Sequence, residues 1–200
     1  MNNSLAELPP DLPRPLDDGA AAHLAGELLP DVTLLSSDGT YVNLSHLRTR
    51  LVIYTYPMTG RPDIPLPAGW DSIPGARGCT PQSCSFRDHY RELTHLGTSV
   101  FGLSVQTSDY QREARDRLHL PFELLSDPSL QLKRVLGLPT FTVAGMELYK
   151  RLTLIAENGK IWKVFYPVFP PDLNADDVIA WLQASSQPGD AAPTPRPAHR

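Results

Sequence analysis

The chain has 200 residues, of which 41% are hydrophobic and 20% are charged, with a net charge of −4 and a pI near 5.8. This composition is typical of one globular domain and excludes a largely disordered chain. The acidic balance argues against nucleic acid as a partner, and no apolar run reaches the roughly 20 residues that cross a bilayer. The start, MNNSLAELPPDLPRP, is neither basic nor apolar, so we expect no secretory signal and a cytoplasmic location.

The 21 prolines are unevenly distributed and mark three parts of the chain. Residues 1–27 are expected to form an N-terminal extension. Residues 28–184 are expected to form a single domain, in which strand and helix patterns alternate. Residues 185–200 are rich in proline and small residues and have no apolar periodicity, which predicts a disordered tail.

The first half of the domain predicts a hairpin, a strand and a helix. DVTLLSSDGTYVNL indicates two short strands around a turn, SHLR a short helix, and RLVIYTY a strand buried on both faces. A Pro-rich segment follows. The next helix is expected in TPQSCSFRDHYRELTHLG, with Thr80 as its N-cap, Pro81 at its first position and Gly97 after its end.

The second half continues the alternation. SVFGLSV and PFELLSD predict strands, SDYQREARDRLHL and PSLQLKRVLG predict helices, and NADDVIAWLQAS predicts the last helix. RLTLIAENGKIWKVFYPV predicts two strands around the turn Asn158-Gly159. The order indicates a mostly parallel central sheet to which the late hairpin adds antiparallel strands. We therefore predict an α/β fold, a thioredoxin-like mixed β-sheet sandwiched by helices, with an N-terminal β-hairpin and a long Pro-rich insertion before the cysteine-bearing helix.

The two cysteines of the chain, Cys79 and Cys84, lie together in RGCTPQSCSFRD. Cys79 comes one residue before the predicted N-cap, where the free N–H groups and positive end of the helix favour a thiolate. Arg77 adds positive charge nearby. A thiolate of this kind attacks peroxides, disulfides or acyl groups. The alternative, a small buried hydrophobe, stays open above all for Cys84, which falls inside the helix.

The spacing of the cysteines bears on a disulfide. Five residues of α-helix separate two Cα atoms by about 8–9 Å, whereas a disulfide requires less than about 7 Å. If the helix reaches back to Cys79, the pair closes only after the first helical turn unwinds, which suits a redox couple better than a permanent cross-link. Two cysteines at this spacing form no recognised metal motif, and His46, His89, His95 and His119 would have to complete a set by tertiary proximity.

Three blocks of sequence resemble the peroxiredoxins, and more narrowly their Q-type, bacterioferritin-comigratory branch. They are LLPDVTLLSSDGTYVNLSHLRTRLVIYTYP, GCTPQSCSFRD and LPFELLSDPSLQLKRVLG. The resemblance implies that Cys79 is the peroxidatic cysteine and Cys84 the resolving one. It also places Gln82 at an active-site Gln or Glu position, Arg151 at the active-site arginine in KRLTLIAENGKI, and Pro57 beside the sulfur.

The same resemblance implies an activity and its partners. A protein of this kind is a thiol peroxidase that reduces hydrogen peroxide or organic hydroperoxides and is recycled by a thioredoxin-like donor. It uses no cofactor and no metal, and relatives of this branch are often monomers, although the N-terminal segment could serve an interface.

The chain also departs from the family pattern. Ala76 occupies the position three residues before the peroxidatic cysteine where the family usually has Thr, and an insertion from about Met58 to Arg77 separates Pro57 from Cys79. Either Thr59 folds back to supply the hydroxyl or the backbone alone serves. The insertion either covers the pocket or docks the reductant, or it is an inert surface loop.

Two other functions stay open from the sequence. GLPTF resembles the strand-preceding Pro of thioredoxin-type thiol–disulfide oxidoreductases, which is cis in that family, although those proteins carry Cys-x-x-Cys. A catalytically inactive thioredoxin-fold binding module that uses the Pro-rich insertion as an interaction surface is the third possibility.

Overall fold

The computed structural model describes residue 5 and residues 7–185, so all but one residue of the predicted tail lies outside the described residues. The strands are β1 Thr33–Ser36, β2 Tyr41–Asn43, β3 Arg50–Thr55, β4 Thr98–Ser104, β5 Glu123–Ser126, β6 Thr140–Val143, β7 Met146–Tyr149, β8 Leu152–Glu157 and β9 Lys160–Phe165. The helices are α1 Cys79–Asp88, α2 Tyr90–His95, α3 Ser108–Leu118, α4 Gln131–Leu136 and α5 Asn174–Ser185, with 3-10 turns at Leu44–His46, Trp70–Ser72 and Pro171–Leu173. No helix in this part of the chain is long and apolar enough to span a membrane.

The main sheet has seven strands in the order β2-β1-β5-β4-β3-β8-β9. Strand β3 pairs in parallel with β4 and β4 with β5, whereas β1 with β2, β1 with β5, β3 with β8 and β8 with β9 are antiparallel. The predicted mixed thioredoxin-like sheet is confirmed. The expected predominance of parallel pairs is wrong, because β8 and β1 enter the sheet from the hairpins in the opposite direction.

The central strand β3 places hydrophobic side chains on both faces of the sheet. Leu51 and Ile53 join a core with α4 and the N-terminal segment, and Val52 and Tyr54 join a second core with α1, α2, α3 and α5. This alternation follows from the two-residue period of a strand, and it explains why RLVIYTY is apolar throughout. The strand ends next to the segment that leads to the cysteine helix.

The cysteine helix differs from its predicted boundaries. It begins at Cys79 rather than after Thr80, because Gly78 takes a left-handed φ of 106° and serves as the N-cap without a side-chain hydrogen bond. A Cβ at Gly78 would lie 2.3 Å from Pro171 Cγ, so only glycine fits here. The helix also breaks at His89, whose ring Nδ1 lies 3.0 Å from the Ser85 carbonyl oxygen, into α1 and α2.

The hairpin of β6 and β7 was not predicted, and it forms a separate two-stranded sheet. It packs against the insertion in a small third core that contains Trp70, Ala76 and Leu148. The N-terminal segment packs as well: Ala21 and Leu24 are buried in the first core, and the Gly26 N–H donates to the Ile161 carbonyl. Both proline-rich segments are therefore packed against the domain.

Candidate active site

Cys79 is the first residue of α1 and is only 3% exposed. Its Sγ lies 3.6 Å from the Ala76 carbonyl oxygen, within the loop that precedes the helix. The free backbone N–H groups of the first helical turn give this end of α1 a partial positive charge. This is the environment that the sequence predicted for Cys79, although the side chain is more buried than a surface loop would leave it.

Arg151 comes directly before β8 and reaches the same sulfur from the other side of the fold. Its Nη2 donates to Cys79 Sγ at 3.2 Å and also to the carbonyl oxygens of Gly75, Ala76 and Arg77 at 3.1–3.3 Å. The guanidinium is 3% exposed, and in the described part of the chain no carboxylate forms an ion pair with it. A buried guanidinium therefore donates directly to the Cys79 sulfur.

Gln82 links the helix to Arg151. Its Oε1 accepts a hydrogen bond from Arg151 Nη1, and its Nε2 donates to Asn174 Oδ1 at 2.9 Å. Asn174 also accepts from Thr153 Oγ1 at 2.6 Å and is the first residue of α5. The sequence did not identify Asn174, because an Asn at a helix start is an ordinary cap and nothing local shows that it faces another helix.

Tyr54 fixes the same turn of α1 from the sheet. Its hydroxyl donates to Ser83 Oγ at 3.0 Å, and its ring stacks on Phe86 with 4.5 Å between centroids. Both Tyr54 and Phe86 are fully buried, and burial raises the pKa of the Tyr54 hydroxyl well above its ordinary value. Tyr54 is therefore a neutral hydrogen-bond donor that holds the middle of the helix against β3.

Cys84 lies in the same helix and is partly exposed. Burial raises the pKa of its thiol, which keeps Cys84 protonated near neutral pH in this conformation. Because α1 does reach back to Cys79, the helical spacing places the two Cα atoms about 8–9 Å apart. The two cysteines are both reduced, and a disulfide requires local unwinding.

Thr59 does not replace the missing threonine. Its hydroxyl and its backbone N–H both donate to Gln106 Oε1, at 3.1 and 2.9 Å, and Gln106 Nε2 returns a bond to the Thr59 carbonyl. The loop before Cys79 approaches the sulfur through the carbonyl oxygen of Ala76. Pro57 is buried just beyond the end of β3. Its expected role in shielding the sulfur stays a prediction.

The insertion is a packed part of the site. Trp70 is 3% exposed and Ala76 is fully buried, which argues against an inert surface loop. Arg77, expected to add charge beside the cysteine, is buried and forms an ion pair with Asp71 of the insertion at 3.4 Å. Its backbone carbonyl, rather than its guanidinium, joins the Arg151 contacts.

Two spaces adjoin the site. One, of about 10 Å³, borders Cys79 and is walled by the insertion, including Trp70, and by Leu5. The other is a cavity of about 260 Å³ that reaches Arg151 and the Gly75 backbone. The first has room for about one water molecule, whereas the second accommodates a small organic group.

The histidines considered as metal ligands lie apart. His46 approaches Asp31 and His89 approaches Asp176, at 3.6 and 3.3 Å. Within residues 5 and 7–185 there is no group of three or more His, Cys, Asp or Glu side chains that could hold a metal ion.

A cysteine at the start of a helix, bound by a buried arginine on a thioredoxin-like sheet, defines a thiol-dependent redox protein. The chain matches the Redoxin family model over residues 24–179, so it belongs to the redoxin family. Within that family, the relatives named below are Q-type or Bcp peroxiredoxins, as the sequence resemblance predicted.

Similar proteins come from several kingdoms. The chain is 27% identical over 186 residues to the chloroplastic peroxiredoxin Q of Suaeda salsa, which covers 92% of this chain and 79% of that protein. It is 36% identical over 114 residues to peroxiredoxin bcp1 of Schizosaccharomyces pombe, a match that covers 56% of this chain and 51% of that protein. The crystal structure of peroxidoxin BcpB from Mycobacterium tuberculosis superimposes with a TM-score of 0.64 at 25% identity, covering 80% of this chain and 96% of that one.

Proposed function

We propose that the protein is a thiol peroxidase that reduces hydroperoxides through Cys79, with Cys84 as the resolving cysteine. The observation that carries this proposal is the contact of Arg151 Nη2 with Cys79 Sγ, 3.2 Å apart, at the start of α1. Family membership and the Q-type relatives support the same activity.

In the first step, the Cys79 thiolate attacks the terminal oxygen of a hydroperoxide. An S–O bond forms, the O–O bond breaks, and the leaving alkoxide or hydroxide takes up a proton. The sulfur loses two electrons and becomes a sulfenic acid, while the peroxide is reduced to an alcohol or water. Arg151 would stabilise both the thiolate and the negative charge that develops on the leaving oxygen.

In the second step, Cys84 attacks the sulfenic sulfur of Cys79. An S–S bond forms, and the hydroxyl group of the sulfenic acid leaves as water with the proton of the Cys84 thiol. The helical spacing requires the first turn of α1 to open before this step.

A dithiol donor then reduces the disulfide by thiol–disulfide exchange and is itself oxidised. We propose a thioredoxin-like protein as this donor. A monomeric state and a cytoplasmic location remain predictions; one relative is named as a chloroplastic protein, so relatives do not share one location.

The test follows thiols after mixing the reduced protein with one equivalent of hydrogen peroxide. We expect second-order loss of thiols far faster than that of a small free thiol. Cys84→Ser should keep this first phase, stop turnover with thioredoxin, and accumulate sulfinic acid at Cys79, detected by mass spectrometry. Normal turnover of Cys84→Ser would exclude the resolving role.

Two results would favour the other functions considered from the sequence. Slow thiol loss combined with strong reduction of insulin disulfides would indicate a thiol–disulfide oxidoreductase. Slow thiol loss without insulin reduction would indicate a binding module.

The peptide bonds that are cis in the described chain precede Pro167 and Pro170, and Pro139 of GLPTF is not among them.

A further inference from the structure

Four buried side chains form a closed ring of hydrogen bonds behind the cysteine. The ring leaves the sheet at Arg151, directly before β8, and runs through Gln82 of α1 to Asn174 of α5. It returns to β8 at Thr153, which donates to Asn174. Since β8 is paired with β3 on one side and β9 on the other, the sheet fixes both ends of the ring. The ring therefore ties one strand and two helices together.

The direction of the hydrogen bonds in the ring is set from Arg151. A guanidinium has donors only, so Gln82 must present Oε1 to Arg151 and Nε2 to Asn174. Asn174 must then present Oδ1 to Gln82 Nε2, which lies 2.9 Å away. The same Oδ1 accepts from the Thr153 hydroxyl at 2.6 Å, so two donors converge on one oxygen.

Asn174 keeps this orientation although half of its amide gains nothing from it. Its Nδ2 is buried and has no hydrogen-bond partner within the chain that the structure describes. An unpaired buried donor is unfavourable. If the amide were turned over, Nδ2 would face Gln82 Nε2, donor against donor. The two donors on Oδ1, rather than any bond of Nδ2, therefore hold the side chain as it lies.

The orientation of Gln82 matters because it controls one side of Arg151. Gln82 takes Nη1 of the guanidinium and leaves Nη2 for Cys79 Sγ, 3.2 Å away. The other hydrogen bonds of Arg151 within residues 7–185 go to backbone carbonyl oxygens of the loop before Cys79. A Gln82 amide turned the wrong way would set its NH₂ group against Nη1 and displace the guanidinium.

We infer that Asn174, held by Thr153, is a positioning residue for the reaction of Cys79 with a hydroperoxide. It orients the Gln82 amide, and Gln82 in turn holds Arg151 against the sulfur. The inference rests on the proposed peroxidase function. Asn174 is not a catalytic residue, because its contacts are with Gln82 and Thr153 rather than with the reacting atoms. Through it, the start of α5 contributes to the site.

The test uses the full-length protein with Cys84→Ser as the parent, so that Cys79 is the one cysteine that reacts. Asn174→Leu removes the acceptor while keeping a side chain of similar size. Thr153→Val removes only the donor that holds Asn174, and Thr153→Ser keeps that donor.

Ser37→Ala is the matched control for the loss of a buried hydroxyl. Ser37 is fully buried, and its hydroxyl bonds to Glu123 and to the Leu124 N–H on β5 rather than to α1 or α5. It should lower the stability of the fold without changing the ring of hydrogen bonds.

The second-order rate constants of Cys79 with hydrogen peroxide and with iodoacetamide are compared. Alkylation by iodoacetamide develops no charge on a leaving oxygen, so it does not need Arg151 in that role. We expect Asn174→Leu to lower the peroxide rate constant about tenfold and Thr153→Val about fivefold, with smaller changes in alkylation. Thr153→Ser and Ser37→Ala should keep the rate constants of the parent.

Three kinetic results would overturn the inference. They are an unchanged peroxide rate constant in Asn174→Leu, an equal fall of both rate constants in that variant, and a Thr153→Ser as slow as Thr153→Val. Slow reaction of the parent itself with hydrogen peroxide would instead overturn the proposed peroxidase function.

The orientation of Gln82 is also measured by NMR, without peroxide. The side-chain amide signal of Gln82 is assigned by its absence in Gln82→Met. In Asn174→Leu the proton that donates to Asn174 Oδ1 should move upfield, because it loses its acceptor. In Thr153→Ser it should stay in place. An identical signal in Asn174→Leu would show that Asn174 does not orient Gln82, whatever the kinetics show.

Discussion

Removing the Tyr54 hydroxyl should accelerate formation of the Cys79–Cys84 disulfide. Closing that disulfide requires the first turn of α1 to open, and Tyr54 holds Ser83, the residue that directly follows this turn, through a 3.0 Å hydrogen bond. Tyr54→Phe keeps the ring that stacks on Phe86 but removes the bond. A buried neutral hydrogen bond contributes about 1 kcal/mol, which corresponds to about a fivefold increase in the rate of opening.

The assay mixes the reduced protein with a slight excess of hydrogen peroxide and quenches with an alkylating agent at successive times. Mass spectrometry then separates the sulfenic acid from the disulfide. The second phase is first-order and independent of peroxide concentration, so its rate constant reports the opening and the attack by Cys84. We expect it to rise about fivefold in Tyr54→Phe, on the estimate of one lost hydrogen bond.

Tyr56→Phe provides a matched control. Tyr56 is also fully buried, but its hydroxyl donates to Gln111 Oε1 on α3 rather than to the cysteine helix. It should lower overall stability by a similar amount and leave the second phase unchanged. If Tyr54→Phe does not accelerate this phase, or if both variants accelerate it equally, local opening of α1 is not what limits disulfide formation.

Three further predictions follow from the same contacts. Arg151→Met should slow the first phase of thiol loss by about 10²–10³-fold, because it removes the donor beside the reacting oxygens. Arg50→Met is the control, since Arg50 pairs with Glu157 away from the sulfur, and it should keep the wild-type rate. A wild-type rate in Arg151→Met would refute the role of Arg151 in peroxide cleavage. Gln82→Met should slow the first phase and accelerate the second in the assay above, since Gln82 joins α1 to both Arg151 and Asn174; a change of both phases in one direction would contradict this. Hydrogen bonds from Lys150 and Tyr166 lower the pKa of Asp18, so the stability from this contact is present above about pH 4 and is lost as the pH falls below it. Urea unfolding is measured from pH 6 to pH 3. The difference in the free energy of unfolding between wild type and Asp18→Asn should become smaller as the pH falls, and a difference that does not change with pH would contradict the contribution of this contact.

The sequence predicted the parts of the site that depend on local pattern. Thr-Pro after Cys79 indicated a helix start near the cysteine, and the apolar run of β3 indicated a buried strand before it. Arg151 was identified through the family resemblance rather than from local pattern. The error of two residues at the helix start came from Gly78, because a glycine N-cap leaves no side-chain signal.

The walls around the site could not be predicted in the same way. The N-terminal segment and the insertion lack apolar periodicity, so their burial arises from individual residues such as Leu24 and Trp70. The β6–β7 hairpin was missed because its partner in packing is the insertion, far away in sequence. Likewise, nothing near Thr59 shows that Gln106 engages its hydroxyl. These contacts depend on tertiary packing, which overrides local propensity.

The contacts of Gln82 place the two proposed chemical steps in opposition. Gln82 lies in the helical turn that must open for the disulfide, and the same side chain holds Arg151 in place beside the sulfur. The hydrogen bond between Gln82 and Arg151 therefore both holds the guanidinium near Cys79 and ties the first turn of α1 to β8. While α1 is intact, Cys84 is both too distant and too protonated to attack. In the proposed reaction the sulfenic acid would therefore persist until the turn opens, and the stability of one helical turn would set the interval during which a second peroxide over-oxidises Cys79.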